Sequence, residues 1–265
     1  MNNSKLVKLS VFCLVCLLVI FSLSSSFAQG SPAAEGRRLF YQGNSDYKEA
    51  KYEAAIDNYS KVLSLGVESG NLYYNLGNSY FKKGELGRAI LNYEKALILT
   101  PNDSDLKSNY EYVLTLLNLG PQSFGNWPEK AANKLFQDVT VDFLTVLLSL
   151  IYILAFIALI SSLFFAQAKM MIKVFLMILS VVFIVSFISL NSKVAYLNKG
   201  AVVVSKEALV KFEPQEEATI YFKLTEGSKV EVLENTENWF KIKRLDGKIG
   251  WIDKSNLGLI LDLQK

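Results

Sequence analysis

The sequence predicts a multidomain protein that combines an all-α repeat domain, a two-helix transmembrane hairpin and a small all-β barrel. Three observations predict this architecture. Residues 43–66 recur at residues 77–100 with an offset of 34 positions, which is the length of one helix-turn-helix repeat. Two long apolar runs without charge follow in the middle of the chain. Short segments of alternating polarity, typical of strands, begin at residue 200.

The first 28 residues have the pattern of a secretory signal peptide. Lys5 and Lys8 form a basic start, an apolar run is dense from Val11 to Phe21, and residues 26–28 offer a small-x-small cleavage site. Lipidation of Cys16 ranks below cleavage, because no small residue precedes that cysteine. An uncleaved anchor helix is the remaining alternative.

The repeat domain is predicted over residues 36–118. The first copy runs from about Gly36 to Ser69 and the second from Gly70 to about Asp103. In the second copy, apolar residues recur three or four positions apart on both sides of Gly84, which predicts two amphipathic helices around a break. Residues 105–117 form a further amphipathic segment, which we expect to cap the second copy.

Two glycines occupy equivalent places in the two copies. Gly43 and Gly77 lie in the interior of predicted helices, where glycine costs about 1 kcal/mol relative to alanine. Such a cost indicates that the paired helices approach each other closely at these points.

Both copies resemble tetratricopeptide repeats. The second copy, LGNSYFKKGELGRAILNYEKALILTP, is nearly complete, whereas the first, QGNSDYKEAKYEAAIDNYSKVLSLG, has Val62 for the usual alanine and is followed by Val67 for the closing proline. In such repeats the first helix of each pair lines a concave peptide-binding groove. The resemblance therefore implies a set of partner-binding residues on these helices: Asn44, Tyr47, Lys48, Tyr74, Asn78, Phe81 and Lys82.

The chemistry of this set suits a bound peptide. Asparagine can donate to and accept from a peptide backbone, and lysine can pair with a carboxylate. An ordinary solvated helix face is the alternative, and it is favoured for the lysines. Phe40 occupies a place where repeats that bind chaperone tails carry a cation, which argues against a specific carboxylate clamp.

Residues 119–140 are predicted to link the repeats to the membrane. The stretch 120–132 holds two prolines, two glycines and Trp127, and its composition predicts a loop. Trp127 could lie at the membrane interface, as aromatic belts do, or pack on the repeats.

Two transmembrane helices are predicted over residues 141–166 and 170–191. The first contains an uncharged run of 23 residues from Phe143 to Phe165, and the second an uncharged run of 17 from Val174 to Leu190; about 20 apolar residues cross the hydrocarbon core. Their connection carries two lysines and no acid, which favours a cytoplasmic turn. We therefore expect both water-soluble domains on the extracytoplasmic side of the cytoplasmic (inner) membrane.

Residues 200–262 predict a small all-β barrel of six short strands. Asp246-Gly247 between two strand segments predicts a tight hairpin. The stretch KVEVLENTENWFKIKRLDGKIGWIDKSNL resembles a bacterial SH3-like domain, whose relatives bind peptides or cell-wall stems. This resemblance draws attention to four aromatic residues: Tyr221, Phe222, Trp239 and Trp251. We expect Trp251 to fill the core, and we include Trp239 among the partner-binding residues.

The composition argues against several classes of function. The chain has no histidine, and its only cysteines, Cys13 and Cys16, leave with the signal peptide if cleavage occurs. The composition therefore excludes most catalytic triads and zinc sites, and it excludes thiol chemistry if the signal peptide is cleaved. The 28 basic residues nearly balance the 25 acidic ones, which disfavours nucleic acid as a partner. We therefore predict no enzymatic activity, no metal site and no cofactor.

The order of signal peptide, two repeats, two spans and SH3-like barrel resembles the BatE-type proteins of an aerotolerance operon. The resemblance implies a membrane-anchored scaffold or adaptor that binds partner proteins, including other membrane proteins of the same operon, in an aerotolerance or envelope stress complex. The alternative is a protein that binds or senses the cell wall (peptidoglycan) through the SH3-like domain. An envelope hydrolase is disfavoured by the missing histidine and cysteine.

Overall fold

The computed structural model describes residues 32–120, 122 and 124–261. The signal-peptide prediction for residues 1–28 lies outside this range. The chain divides into two compact units, residues 1–68 and 69–265, and each is described by itself.

The described part of the first unit is a pair of helices, α1 (Pro32–Lys48) and α2 (Tyr52–Ser64). The helices pack on each other through a small apolar core, which consists of Leu39, Ala55, Tyr59 and Val62. This pair is the first of the two repeat copies.

The second unit begins with the second repeat copy, helices α3 (Gly70–Lys82) and α4 (Leu86–Leu99). The Ser69 hydroxyl caps α3 by accepting from the backbone amide of Leu72 at 3.2 Å. Between the helices, Gly84 has a φ of +79°, which glycine adopts without steric cost. The break that the sequence predicted at this residue is therefore a turn in the left-handed region.

Helix α5 (Ser104–Leu116) follows and packs on α4. The Asp103 carboxylate caps it by accepting from the amides of Asp105 and Leu106, both at 3.0 Å. Leu106 and Val113 are buried, so α5 covers the second repeat as the sequence predicted for a capping helix.

The segment before the two long apolar helices contains a helix that the sequence did not predict. The composition of residues 120–132 indicated a loop, but the structure has α6 at Trp127–Leu135. Pro128 is tolerated there because it lies in the first turn, where its missing amide proton has no intrahelical partner. The Glu129 carboxylate also accepts from the backbone amide of Asn126 at 3.2 Å, which fixes the start of the helix.

Two long apolar helices, α7 (Val141–Phe164) and α8 (Lys169–Lys199), pack against each other and are joined by a 3-10 turn at Ala166–Ala168. Both are long and apolar enough to cross a membrane. Helix α8 has 31 residues, about 46 Å at 1.5 Å per residue, which exceeds the hydrocarbon thickness of about 30 Å. It runs beyond the predicted end at residue 191 and leads directly into the first strand.

The C-terminal region is a seven-stranded antiparallel sheet with the order β3-β2-β6-β5-β4-β1-β7. Its strands are β1 (Gly200–Val203), β2 (Glu207–Lys211), β3 (Ile220–Thr225), β4 (Lys229–Asn235), β5 (Trp239–Arg244), β6 (Ile249–Asp253) and β7 (Leu257–Leu259). Six of them were expected, and the short β7 was not. The sheet is consistent with an SH3-like domain, and its closure into a barrel stays a prediction.

Side chains from one face of the sheet form a single apolar core that includes Val210, Val230, Phe240, Ile242 and Ile252. The predicted hairpin connects β5 to β6, and Gly247 has a φ of +89°. The amide of Gly247 donates to the Arg244 carbonyl at 2.9 Å, which closes the turn.

Candidate binding surfaces

A glycine, an asparagine and a tyrosine form a recurring contact in the first repeat. A Cβ on Gly43 would lie 2.6 Å from a ring carbon of Tyr59, so only glycine leaves room for this buried ring. The Tyr59 hydroxyl donates to the side-chain oxygen of Asn44 at 2.7 Å. The glycine therefore admits the ring, and the ring reaches the asparagine next to the glycine.

The second repeat contains the same contact, 34 positions later. A Cβ on Gly77 would lie 2.6 Å from two ring carbons of Tyr93, and the Tyr93 hydroxyl donates to the Asn78 side-chain oxygen at 2.7 Å. The close helix approach predicted from the two glycines is therefore present in both copies. Each asparagine also has a structural partner, which the sequence did not reveal.

The capping helix takes part in the same surface as the second repeat. The side-chain amide of Asn109 donates to the Asn78 side-chain oxygen at 3.0 Å and to the Tyr74 hydroxyl at 2.9 Å. Two donors thus hold the Asn78 oxygen, and this orients its amide nitrogen as the group that can donate to a peptide carbonyl. The predicted residues Tyr74 and Asn78 are brought together by a residue outside the predicted set.

An aromatic pair continues this surface. The rings of Phe81 and Tyr112 meet edge to face with centroids 5.9 Å apart, and the Lys82 ammonium lies 5.9 Å from the Phe81 ring. Tyr112 is 57% exposed, so its ring offers apolar area to a partner. We call the surface formed by Tyr74, Asn78, Phe81, Lys82, Asn109 and Tyr112 the α3–α5 groove.

The predicted residues of the first repeat lie on α1. Besides Asn44, the Tyr47 ring contacts the Tyr52 ring edge to face at 5.5 Å, and Lys48 is exposed at the end of the helix. These residues belong to the first unit, whereas the α3–α5 groove belongs to the second.

Trp239, which the sequence placed among the partner-binding residues, does not lie on an accessible surface. Its side chain is buried, with only 8% exposed, and the Lys211 ammonium lies 5.0 Å above its ring. That ammonium in turn donates to the carbonyls of Gln215 and Glu216. Trp239 therefore has no ring face open to a partner. Trp251, which was expected in the core, is partly exposed instead.

Two exposed aromatic residues, Phe212 and Tyr221, form another cluster with the partly buried Phe222. The rings of Phe212 and Tyr221 are 4.4 Å apart, those of Tyr221 and Phe222 are 5.1 Å apart, and the Arg244 guanidinium lies 5.0 Å from the Phe222 ring. Phe212 is 56% exposed. We call these four residues the SH3 aromatic patch. Clustered aromatic rings, one pair tilted and one edge to face, with a nearby cation suit a peptide or sugar–peptide ligand.

A buried ion pair joins the repeat to the sheet inside the second unit. The Glu94 carboxylate on α4 contacts the Lys229 ammonium on β4, and their side chains are 7% and 9% exposed. Tyr110 on α5 donates to one carboxylate oxygen of Glu94, and Tyr196 on α8 donates to the other at 2.9 Å. Burial, and secondarily the nearby Glu94 carboxylate, raises the pKa of the Tyr110 hydroxyl well above its usual value.

Backbone contacts reinforce this junction. The amide of Gly87 at the start of α4 donates to the Glu226 carboxylate at 2.7 Å, a favourable place for an anion. The Gln122 side chain accepts from the Lys229 amide at 2.7 Å and donates to the Gly227 carbonyl at 3.2 Å. The second repeat, the capping helix, the end of α8 and the sheet are thus held together by polar contacts.

Among the described residues, no group of three or more histidine, cysteine, aspartate or glutamate side chains could hold a metal ion. The residues that sequence reasoning missed are Asn109 and Tyr112 in the groove, and Glu94 and Lys229 in the junction. Extending the 34-residue period once more from Asn78 reaches Tyr112, so this residue could have been found.

Comparisons with known families match the helical repeats and the C-terminal sheet. The model of the tetratricopeptide repeat matches residues 70–103, that of the TPR repeat matches residues 43–84, and that of the bacterial SH3 domain matches residues 209–258. No curated protein matches this chain. The chain thus contains tetratricopeptide repeats and a bacterial SH3 domain, separated in the sequence by two helices that are apolar enough to span a membrane.

Proposed function

We propose that the protein is a membrane-anchored scaffold that captures segments of partner proteins outside the cytoplasmic membrane. The α3–α5 groove is the observation that carries the proposal, because it places an oriented amide, the exposed Tyr112 ring beside Phe81, and a cation on one surface. Tetratricopeptide repeats and bacterial SH3 domains generally bind proteins or peptidoglycan. The fitting ligand is an extended peptide with an apolar side chain and an acidic group.

The resemblance to BatE-type proteins supports partners among the membrane proteins of an aerotolerance operon, in a complex for aerotolerance or envelope stress. The role is that of a non-enzymatic adaptor without cofactor.

Both water-soluble domains lie on the extracytoplasmic side in this proposal. The support is the pair of lysines, Lys169 and Lys173, at the turn between α7 and α8. In a variant with Cys13 and Cys16 replaced by serine, a cysteine at Asn102 would react with a membrane-impermeant maleimide in intact spheroplasts. A cysteine at Lys169 would react only after lysis; the reverse pattern would refute the topology.

Charge reversal tests the groove. Lys82→Glu removes the cation beside Phe81, so affinity capture from solubilised membranes should recover less of the partner proteins that wild type retains. Lys248→Glu is the matched control, because it makes the same charge change on an exposed turn of the sheet. Equal recovery by wild type and both variants would count against the groove.

A second candidate function is binding of the cell wall, and the SH3 aromatic patch favours it. The full chain in detergent micelles should then co-sediment with purified peptidoglycan. Phe212→Ala removes an exposed ring of the patch and should weaken this binding. Leu233→Ala shortens an exposed side chain on β4 and should leave it unchanged. No co-sedimentation of wild type would exclude this function.

A further inference from the structure

Helix α6 presents an apolar face that no part of the described chain covers. Trp127 is 80% exposed and Leu135 is 74% exposed, and their spacing of eight residues, with Ala131 between them, puts them on one side of the helix. Ala132, only 3% exposed, lies on the other side. A nine-residue helix that exposes its two largest apolar side chains needs a partner for that face.

The opposite face of α6 is fastened to α8 by side-chain hydrogen bonds. The Asn133 amide donates to the Ser192 hydroxyl at 2.7 Å, and the Ser189 hydroxyl donates to the Asn133 oxygen at 3.1 Å. The Lys193 ammonium donates to the carbonyl of Phe136 at 2.8 Å. The position of α6 along α8 is therefore fixed at residues 189–193.

This attachment lies where the membrane-spanning part of α8 ends. The uncharged run of α8 extends from Val174 to Leu190, about 26 Å at 1.5 Å per residue. Charged residues first appear on both helices at this level, with Asp142 at the start of α7 and Lys193 on α8. Helix α6 therefore lies beside the boundary between the hydrocarbon core and water.

Two exposed lysines flank the apolar face. Lys130 and Lys134 are exposed and lie along the Trp127 edge of this face, because they follow Trp127 by three and seven positions on the helix. Tryptophan with lysine is the composition of helices that lie in the interface of a membrane with anionic lipids, where the ring enters the headgroup region and the ammonium groups meet phosphates. A lipid surface fits this face better than a protein, because the neighbouring spans already place the helix at that surface.

We propose that α6 is an interfacial anchor helix whose Trp127–Leu135 face lies in the headgroup region of the membrane and binds anionic lipid. The contact would fix the tilt of α8, and with it the orientation of the sheet and second repeat that α8 carries. It does not depend on the scaffold function.

Tryptophan fluorescence tests the proposal in proteoliposomes of phosphatidylcholine with or without phosphatidylglycerol. The difference spectrum between wild type and Trp127→Phe isolates Trp127, and Trp239 and Trp251 stay unchanged. We expect emission at short wavelength, strong quenching by lipids with a nitroxide near the headgroup, and weak quenching by aqueous iodide. Lys130→Glu together with Lys134→Glu should reduce the lipid quenching in vesicles that contain phosphatidylglycerol.

The control is Phe212→Trp in the Trp127→Phe background. Phe212 is exposed at the end of β2, four strands away from β1 in the sheet order, so this tryptophan should be quenched by iodide and not by lipid. If Trp127 itself is quenched by iodide and not by lipid, the proposal is overturned. Shielding of Trp127 from both quenchers would overturn it as well, because that result indicates a protein contact.

Discussion

The buried pair of Glu94 and Lys229 allows a quantitative prediction about the second unit. Glu94→Gln leaves the Lys229 ammonium buried, without a carboxylate, between the Tyr110 and Tyr196 rings, whose centroids are 5.7 and 5.5 Å away. Removing one member of a buried ion pair costs about 3–5 kcal/mol. Lys229→Met leaves the Glu94 carboxylate with two tyrosine hydroxyl donors, and each hydrogen bond to a charged group stabilises by about 1.5–3 kcal/mol. We therefore expect a smaller loss of folding free energy, about 2–3 kcal/mol, for Lys229→Met.

The double variant removes both charges and leaves no uncompensated ion. Its loss of stability should therefore fall short of the sum of the single losses by about 1–3 kcal/mol. Urea unfolding of the full chain in detergent micelles measures these losses, with Trp239 and Trp251 fluorescence as the signal in a Trp127→Phe background. With a denaturant slope of about 1–3 kcal/mol per molar urea, Glu94→Gln should lower the midpoint by more than about 1 M.

The exposed pair of Lys243 and Glu231 on the same sheet is the matched control. Its nearest charged atoms are 3.8 Å apart and the lysine side chain is 47% exposed. Lys243→Met should change stability by less than about 1 kcal/mol. If the loss of stability in the double variant equals the sum of the Glu94→Gln and Lys229→Met losses within about 0.5 kcal/mol, the two charges are not coupled. The buried ion pair then does not stabilise the second unit in the way the contacts indicate.

Two further predictions concern the second unit. Gly77→Ala places a Cβ 2.6 Å from the buried Tyr93 ring. The resulting overpacking costs about 1–3 kcal/mol, whereas the higher helix propensity of alanine gains up to about 1 kcal/mol. The urea midpoint of Gly77→Ala should therefore be lower than that of the wild type. Gly120→Ala, where the added Cβ meets nothing within 4 Å, is the control, and an equal effect would contradict the packing argument. Tyr110→Phe should alter alkaline stability. Because burial and the nearby carboxylate raise the folded pKa of Tyr110, its contribution is complete below the unfolded value of about 10 and declines as pH rises above it. The urea midpoint should therefore fall less steeply between about pH 9 and 11 in Tyr110→Phe, and an unchanged profile would argue against the shift.

Most of the helices and strands could be predicted from the sequence because local residue patterns determine them. The 34-residue offset predicted the paired repeat helices, the uncharged runs predicted α7 and α8, and the alternation of polar and apolar residues predicted six strands. Helix α6 was missed because Pro128 and the surrounding glycines are typical of loops, while its helical start depends on the Asn126–Glu129 contact. The extension of α8 to Lys199 was missed because charged residues after Leu190 mark the end of a span but do not end a helix.

The proposed binding residues could be predicted from the sequence only in part. The repeat pattern located Tyr74, Asn78, Phe81 and Lys82 on one helix, but the contacts of Asn109 depend on how α5 packs, which no local pattern encodes. Nor could spacing reveal that Glu94 meets Lys229, since the two residues are 135 positions apart in the sequence.

Site-specific photo-crosslinking in native membranes tests the scaffold function most directly. A benzophenone amino acid replaces Tyr112, which is exposed at the α3–α5 groove, and in a second variant it replaces Asn102, which is exposed in the turn before α5. We predict that the Tyr112 position yields a discrete crosslinked membrane protein, that Lys82→Glu weakens this product, and that the Asn102 position does not yield it. The absence of a crosslink at Tyr112, or the same product from both positions, would contradict partner binding in the groove.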